Sequence, residues 1–198
     1  MSKRIEKKRI RKLIENTIKT VQMKVPTGIQ RTGVNMSYDY IEDRVYVDCE
    51  RVTKAHSEMK APVLLEEYIK TLTIHELGHA IDRDSLLSSM NRMIEIAKLK
   101  RKHAFIERRE KLELFSVDIE AHEMDIEFEK TAWNNARLLN KKYHVVSEEV
   151  FDQIEAHSMS SYMNFYEKDL ITYKRLVAAE RMKERPIETI EITGQIPV

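Results

Sequence analysis

Cysteine, glycine and proline are scarce in this chain, and each scarcity excludes a class of protein. There is one cysteine, with four glycines and four prolines, in 198 residues. A single cysteine rules out an internal disulfide and is typical of a reducing compartment. So few glycines and prolines leave little room for the many tight turns of an all-β fold.

Long apolar runs and an excess of one charge are also missing. No stretch is long enough for a membrane-spanning helix, and the charged amino terminus contains no apolar signal core. We therefore expect a cytoplasmic protein with no membrane partner. The formal net charge of +1 provides no general attraction to nucleic acid, which argues against a nucleic-acid partner.

What the chain does have is charge and helical periodicity. Apolar residues make up 42% of it and charged residues 34%, which is typical of a helix-rich domain large enough for a core. We predict a single, predominantly helical α+β domain. Its parts are a basic amino-terminal helix (1–25), a core (26–141) with a hairpin of strands near 34–40 and 44–49, and a carboxy-terminal helical region (142–198).

Further helices follow from apolar positions that recur at a spacing of about 3.6 residues. The pattern predicts helices near residues 63–82, 86–109, 112–140 and 147–183. After Pro186 the tail alternates apolar and polar residues from Ile187 to Val198. That alternation fits either a late strand or a flexible end.

The most informative stretch is His75-Glu76-Leu77-Gly78-His79. Residues four apart lie on one face of a helix, so both imidazoles can aim a nitrogen at one Zn²⁺. Glu76 can then reach a zinc-activated water and take its proton during attack on a carbonyl. The flanking residues are uncharged, which favours a buried helix, and a metal is the simplest partner for buried His and Glu side chains. The spacing predicts one zinc ion bound by His75 and His79, with Glu76 as general base.

A catalytic zinc needs a third protein ligand, and the acidic helix predicted after residue 112 is the obvious source. Helical phase places Glu129 on a buried stripe with Ile126 and Trp133, whereas Glu123 lies on a polar face. An isolated buried carboxylate is very costly, so Glu129 is the favoured ligand. Asp125, one turn earlier, and Glu123 remain alternatives.

Other polar residues are candidates for supporting roles. Asp118 and His122 share the stripe of Glu129, and side chains there can orient zinc-bound imidazoles. For His122 the alternative is a hydrogen-bonded core histidine. An oxyanion donor is a general need of such chemistry, and the last helix offers Tyr162, Tyr166 and Tyr173, among which the pattern does not choose.

Two segments resemble a known family. Thr73 to Ala80 matches the extended zincin signature, in which uncharged residues bracket the motif. Glu129 to Ala136 is similar to the helix that supplies the glutamate ligand in gluzincin-type peptidases. Preceded by a basic helix and a hairpin, they resemble the compact ImmA/IrrE-type metallopeptidases of bacteria, phages and mobile elements. The resemblance covers about residues 30–140. It implies a zincin-like fold and endopeptidase activity on a protein, which for some members is a transcriptional repressor.

The sequence thus predicts a zinc-dependent endopeptidase acting on a protein substrate. An exposed hairpin strand beside the metal would let an extended substrate backbone pair with it. The alternative is a non-catalytic zinc-containing module that binds a protein or nucleic-acid partner through the basic first helix. Stoichiometric zinc without Glu76-dependent cleavage would favour that alternative.

Overall fold

A computed structural model describes residues 3–60 and 62–184 and confirms a predominantly helical α+β architecture. The predicted alternation at residues 187–198 lies outside these described residues. In chain order the elements are α1 (Lys3–Thr20), β1 (Thr27–Ile29), β2 (Met36–Asp39), β3 (Arg44–Val47), α2 (Cys49–Ser57), α3 (Leu65–Ile81), α4 (Arg83–Ser88), α5 (Met90–Lys102), α6 (Phe105–Glu110), α7 (Leu112–Tyr143) and α8 (Glu148–Glu184). Within the described ranges, no helix is long and apolar enough to cross a membrane.

The small sheet contains the predicted hairpin. Strands β2 and β3 pair antiparallel, with Met36 opposite Val47, and Asp39 closes the turn by accepting the backbone N–H groups of Ile41 and Glu42 at 2.9 Å. β1 pairs parallel with the other side of β3, so the strand order is β1-β3-β2. The prediction missed β1, which is only three residues long. β2 is left at an edge of the sheet.

The second hairpin strand was predicted two residues too long, because a helix begins there. β3 ends at Val47, and α2 begins at Cys49. Asp48 caps α2, since its carboxylate accepts the backbone N–H groups of Glu50 and Arg51 at 3.1 Å. An acidic side chain at this position satisfies two of the donors that a helix start leaves free.

The prediction of one charged helix over residues 86–109 is wrong, because the chain forms α4, α5 and α6 there. The hydroxyls of Ser88 and Ser89 both donate to the carbonyl of Ser85, an interaction that competes with helical hydrogen bonding. At the second break, the Arg108 guanidinium donates to the carbonyls of Lys100 and His103 at 3.1 and 2.9 Å. Those bonds satisfy backbone carbonyl groups at the carboxy-terminal end of α5, which have no partner within the helix, and allow the chain to turn.

Helix α3 lies at the centre of the molecule and is buried on nearly every side. It packs against α7, α1 and β2, and its apolar residues Ile69, Ile74 and Leu77 are essentially inaccessible. α1 contributes one apolar face, with Ile10 and Ile14 buried, and its exposed basic residues are Lys8, Arg9, Arg11, Lys12 and Lys19. The uncharged flanks of the motif therefore correspond to a helix inside the core, as predicted.

Candidate metal centre

Two neighbouring helices bring the predicted ligands together. α3 carries His75 and His79 on one face, and α7 runs beside it in the opposite direction. The two backbones approach closely at Gly78, where an added Cβ would lie 2.9 Å from the carbonyl carbon of Ala132. The Asn135 amide also donates to the Gly78 carbonyl at 3.0 Å. This contact fixes the register of α7 against the motif.

In this register Glu129 lies directly opposite the two imidazoles. Its Oε2 is 3.2 Å from Nε2 of His75, and its Oε1 is 3.5 Å from Nε2 of His79. The three potential ligand atoms all lie within 4.8 Å of one another. Two imidazole nitrogens and one carboxylate oxygen converging on one point are a donor set typical of catalytic zinc.

Aromatic packing orients the first imidazole. His75 stacks on Trp133 with ring centroids 4.2 Å apart and lies edge-on to His79 at 4.8 Å. Phe151 of α8 packs edge-to-face against the same indole. The buried Nδ1 of His75 has no hydrogen-bond partner among the described residues. Around metal-binding histidines, a carboxylate or carbonyl often fixes the ring orientation by a hydrogen bond. Here the stacked indole of Trp133 orients the His75 ring instead.

Glu76 lies beside this cluster and is buried, with 6% of its surface exposed. Burial raises the pKa of its carboxyl group, and the charges of His75 and His79 oppose that rise. The backbone N–H of Tyr38 in β2 donates to the carboxylate and ties the edge strand to the motif. A carboxyl group with a raised pKa is closer to the range in which a general base works at neutral pH.

The charges of the cluster are mutually dependent. Burial alone would raise the pKa of Glu129, but hydrogen bonds from His75 and His79 hold it well below its usual range. Burial alone would lower the pKa of the His79 imidazole, but its hydrogen bond to Glu129 raises that pKa overall. The hydrogen bonds from the two imidazoles thus keep the Glu129 carboxylate ionised in the protein interior.

A tyrosine of α8 completes the cluster. The hydroxyl of Tyr162 donates to Oε1 of Glu129 at 3.1 Å, and burial followed by the negative charge of Glu129 raises the pKa of the phenol. Tyr166 donates to the exposed Glu123 instead, at 2.8 Å, and Tyr173 packs edge-on against Phe115.

The sequence contained a signal for Tyr162 that the prediction did not use. The connection between α7 and α8 is short, which implies antiparallel helices. In such a pair, residues at equal distances from the connection face each other. Glu129 lies 144 − 129 = 15 residues before His144, and Tyr162 lies 162 − 147 = 15 residues after Ser147.

Asp118 and His122, the candidates for a supporting role, form their bonds away from the imidazoles. Asp118 binds the Arg108 guanidinium at 3.0 Å, and His122 binds Asp169 of α8 at 3.1 Å. Both hold neighbouring helices together away from the imidazoles. The alternative ligands also lie outside the three-atom cluster, since Glu123 is exposed and bonded to Tyr166.

A cleft of about 790 Å³ lies over the centre. Tyr68, Leu72, His75, Glu76 and His79 of α3 line its length, between β2 and the face of α8 that carries Tyr162. The carbonyl of Asn35 accepts the N–H of Asp48 at 3.1 Å. Backbone groups alternate sides along a strand. The N–H and carbonyl groups of Met36 and Tyr38 therefore face away from β3.

Two of the groups along this free edge of β2 are already bonded. Glu76 accepts the N–H of Tyr38, and Arg83 donates to the carbonyl of Tyr40 at 2.9 Å. The N–H and carbonyl of Met36 and the carbonyl of Tyr38 remain on the open side. An extended chain in the cleft can pair with these three groups.

No family model, curated protein or solved structure matches this chain.

Proposed function

We propose that this chain is a zinc-dependent endopeptidase that hydrolyses a peptide bond within a protein substrate. The observation that carries the proposal is the convergence of His75, His79 and Glu129, with Glu76 buried beside them at the floor of an open cleft. A solely structural zinc site uses four protein ligands and has no need of an adjoining general base.

The donor set fits zinc. Nε2 of His75, Nε2 of His79 and one oxygen of Glu129 would bind the ion, and three protein ligands are the number found in catalytic zinc sites. Bound there, zinc would supply Lewis acidity, which polarises a carbonyl and lowers the pKa of a water molecule. The ionised state of Glu129 and the stacked orientation of His75 prepare the ligands for this role.

Glu76 is the proposed general base. Its carboxylate takes a proton from the attacking water and passes it to the departing amine. The N–H of Tyr38 holds this carboxylate, and burial raises its pKa, so proton uptake is easier than for an exposed glutamate.

Tyr162 is the proposed oxyanion donor. Its hydroxyl is already directed at the ligand cluster, and a rotation away from Glu129 would let it donate to the carbonyl oxygen on which charge develops. Its raised pKa keeps the hydroxyl protonated throughout the working range of such an enzyme.

The cleft suits an internal segment of a polypeptide. Along α3 it extends from Tyr68, seven residues before His75, past His79 to Leu86 of α4. Seven residues of helix span roughly 10 Å, so an extended chain has room for about three residues on that side of the centre. Substrate on both sides of the scissile bond is what distinguishes an endopeptidase from an exopeptidase.

The resemblance to ImmA/IrrE-type metallopeptidases supports the same activity, because the zincin signature and the glutamate helix of this chain supply the three converging side chains. On that resemblance, the substrate is a cytoplasmic regulatory protein such as a transcriptional repressor.

The decisive test measures zinc content and peptide cleavage on matched variants. The parent protein should contain one zinc ion and cleave a mixed peptide library. Glu76→Gln should keep the zinc and lose cleavage, whereas Glu129→Ala should lose both. Asp125→Ala and Glu123→Ala remove carboxylates of the same helix that lie outside the cluster, and both should retain zinc.

Two results would overturn the proposal. Cleavage by Glu76→Gln at the rate of the parent would refute the general-base mechanism. Stoichiometric zinc with no cleavage of any library member would instead favour the non-catalytic binding module.

A further inference from the structure

One carboxylate of the cleft has no ionic partner among the described residues. Asp125 lines the cleft one turn of α7 before Glu129, and no hydrogen bond or ion pair engages it. The basic residues that act on it electrostatically are Lys100 and His122. Their bonds go elsewhere, to Asp118 at 3.7 Å and to Asp169 at 3.1 Å.

The cleft that Asp125 lines also has apolar walls. Leu86, Phe128 and Tyr40 line it, and Phe128 lies one helical turn from Asp125 on α7. Leu86 is 6% exposed, and Phe128 packs on the hydrophobic core. A single negative charge above an apolar wall complements a side chain that has a long aliphatic stem and a cationic end, which describes lysine and arginine.

The opposite end of the cleft has a different charge pattern. There Arg51 pairs with Glu58 at 3.3 Å, so each charge already has a partner. A charged substrate residue would have to break that pair before it could bind. Charge selection in this cleft is therefore concentrated at Asp125.

The edge strand assigns a direction to the bound chain. Asn35 lies near Tyr68, Tyr38 near Glu76 and Tyr40 near Arg83, so β2 runs in the same direction as α3. Antiparallel pairing is the more stable arrangement, and a substrate bound in this way runs from Tyr40 towards Asn35. The part that passes Asp125 is then the part amino-terminal to the scissile bond.

We propose that Asp125 selects substrates with lysine or arginine within the two residues amino-terminal to the scissile bond. The aliphatic stem lies on Leu86 and Phe128, and the cation pairs with the carboxylate. Asp125 lies four residues, roughly 6 Å along α7, from Glu129, which is within reach of these positions. This inference rests on the proposed endopeptidase function and names its substrate class.

The test compares lysine with norleucine, which has the same aliphatic stem and no charge. Library cleavage by the parent, read by mass spectrometry, should show basic residues enriched just before the cleaved bond. In matched quenched peptides the parent should prefer lysine to norleucine by about threefold in kcat/KM, because Asp125 is exposed and solvent screens the pair. In Asp125→Asn that ratio should fall to about one.

Charge reversal and a neighbouring acid provide the controls. Asp125→Lys should invert the preference in favour of glutamate over norleucine. Glu127→Gln removes an exposed acid of α7 that does not line the cleft, and it should keep the ratio of the parent.

The outcomes distinguish a failure of the proposed role of Asp125 from a failure of the proposed endopeptidase function. Cleavage that depends on Glu76 but shows no basic preference, or a preference that survives Asp125→Asn, overturns the role of Asp125 alone. Absence of any Glu76-dependent cleavage overturns the endopeptidase itself. Binding of the lysine and norleucine peptides to Glu76→Gln, measured by fluorescence polarisation, gives the same comparison without turnover, and equal affinities would also overturn the role of Asp125.

Discussion

Replacing Gly78 by alanine tests whether helix contact sets the geometry of the candidate metal centre. The new Cβ would lie 2.9 Å from the carbonyl carbon of Ala132, with the carbonyl oxygen nearer still. Carbon atoms pack at 3.5 Å or more, so α3 and α7 must separate by at least about 0.6 Å (3.5 − 2.9). The obstruction is backbone, which cannot rotate aside as a side chain would.

The energetic consequence has two opposing parts. Overpacking of a core costs up to about 3 kcal/mol, while replacing a helical glycine by alanine stabilises by about 1 kcal/mol. We therefore expect Gly78→Ala to lower the free energy of unfolding by about 2 kcal/mol, which for a chain of this size lowers Tm by roughly 4–8 °C. The measurement is urea or thermal unfolding of the metal-free protein.

The effect on zinc binding should be larger than the loss of stability suggests. His75 and His79 are on one helix and Glu129 is on the other, and metal–ligand distances tolerate changes of only about 0.2 Å. A separation of about 0.6 Å should therefore weaken zinc affinity by at least tenfold in competition with a chelator.

Gly28→Ala is the matched control. A Cβ at Gly28 in β1 meets the side chains of Tyr46 and Arg44, away from the helix pair. It should leave zinc affinity unchanged. If Gly78→Ala binds zinc as tightly as the parent and unfolds at the same urea concentration, the close contact of α3 with α7 does not set the site.

Two further predictions concern the last helix and the first cap. Tyr162→Phe should retain zinc and lower kcat about a hundredfold, because it removes one oxyanion donor; Tyr166→Phe, which removes a bond to the exposed Glu123, should leave kcat unchanged. Equal rates for the two variants would exclude Tyr162 from the reaction. Asp48→Ala should destabilise the protein by about 1 kcal/mol near neutral pH through loss of the α2 cap. Burial would raise the pKa of Asp48, but the N–H groups of Arg51 and Gly33 lower it overall. Its contribution is therefore present above the usual aspartate pKa and lost as pH falls through the lowered one. Urea unfolding should show the gap to the parent narrowing progressively as pH falls below about 5. A constant gap would contradict the assigned hydrogen bonds.

The parts of the fold that the sequence predicts are those with a strong local pattern. The apolar neighbours of the motif predict a buried α3, and helical phase places Glu129 on the inner face of α7. The hairpin follows from its valines and tyrosines, and Glu42-Asp43 between the strands offers the turn. Each of these signals lies within one element, so no knowledge of tertiary contacts is needed.

The errors arise where a contact distant in sequence decides the local structure. The break between α5 and α6 depends on Arg108, whose guanidinium bonds two carbonyls and Asp118 at once. The same ion pair removes Asp118 from the candidate site, although its helical phase points inward. β1 is too short to carry a pattern and is held by pairing with β3.

The stacking of Trp133 on His75 has a practical consequence. Trp133 is the only tryptophan in the sequence, and its indole lies 4.2 Å, centroid to centroid, from a proposed zinc ligand. All the tryptophan emission of the protein therefore originates beside the candidate centre. Zinc uptake would change the electronic surroundings of that indole, so the protein contains its own optical reporter for the proposed metal binding. A titration can be followed in dilute solution without an added dye or an engineered label.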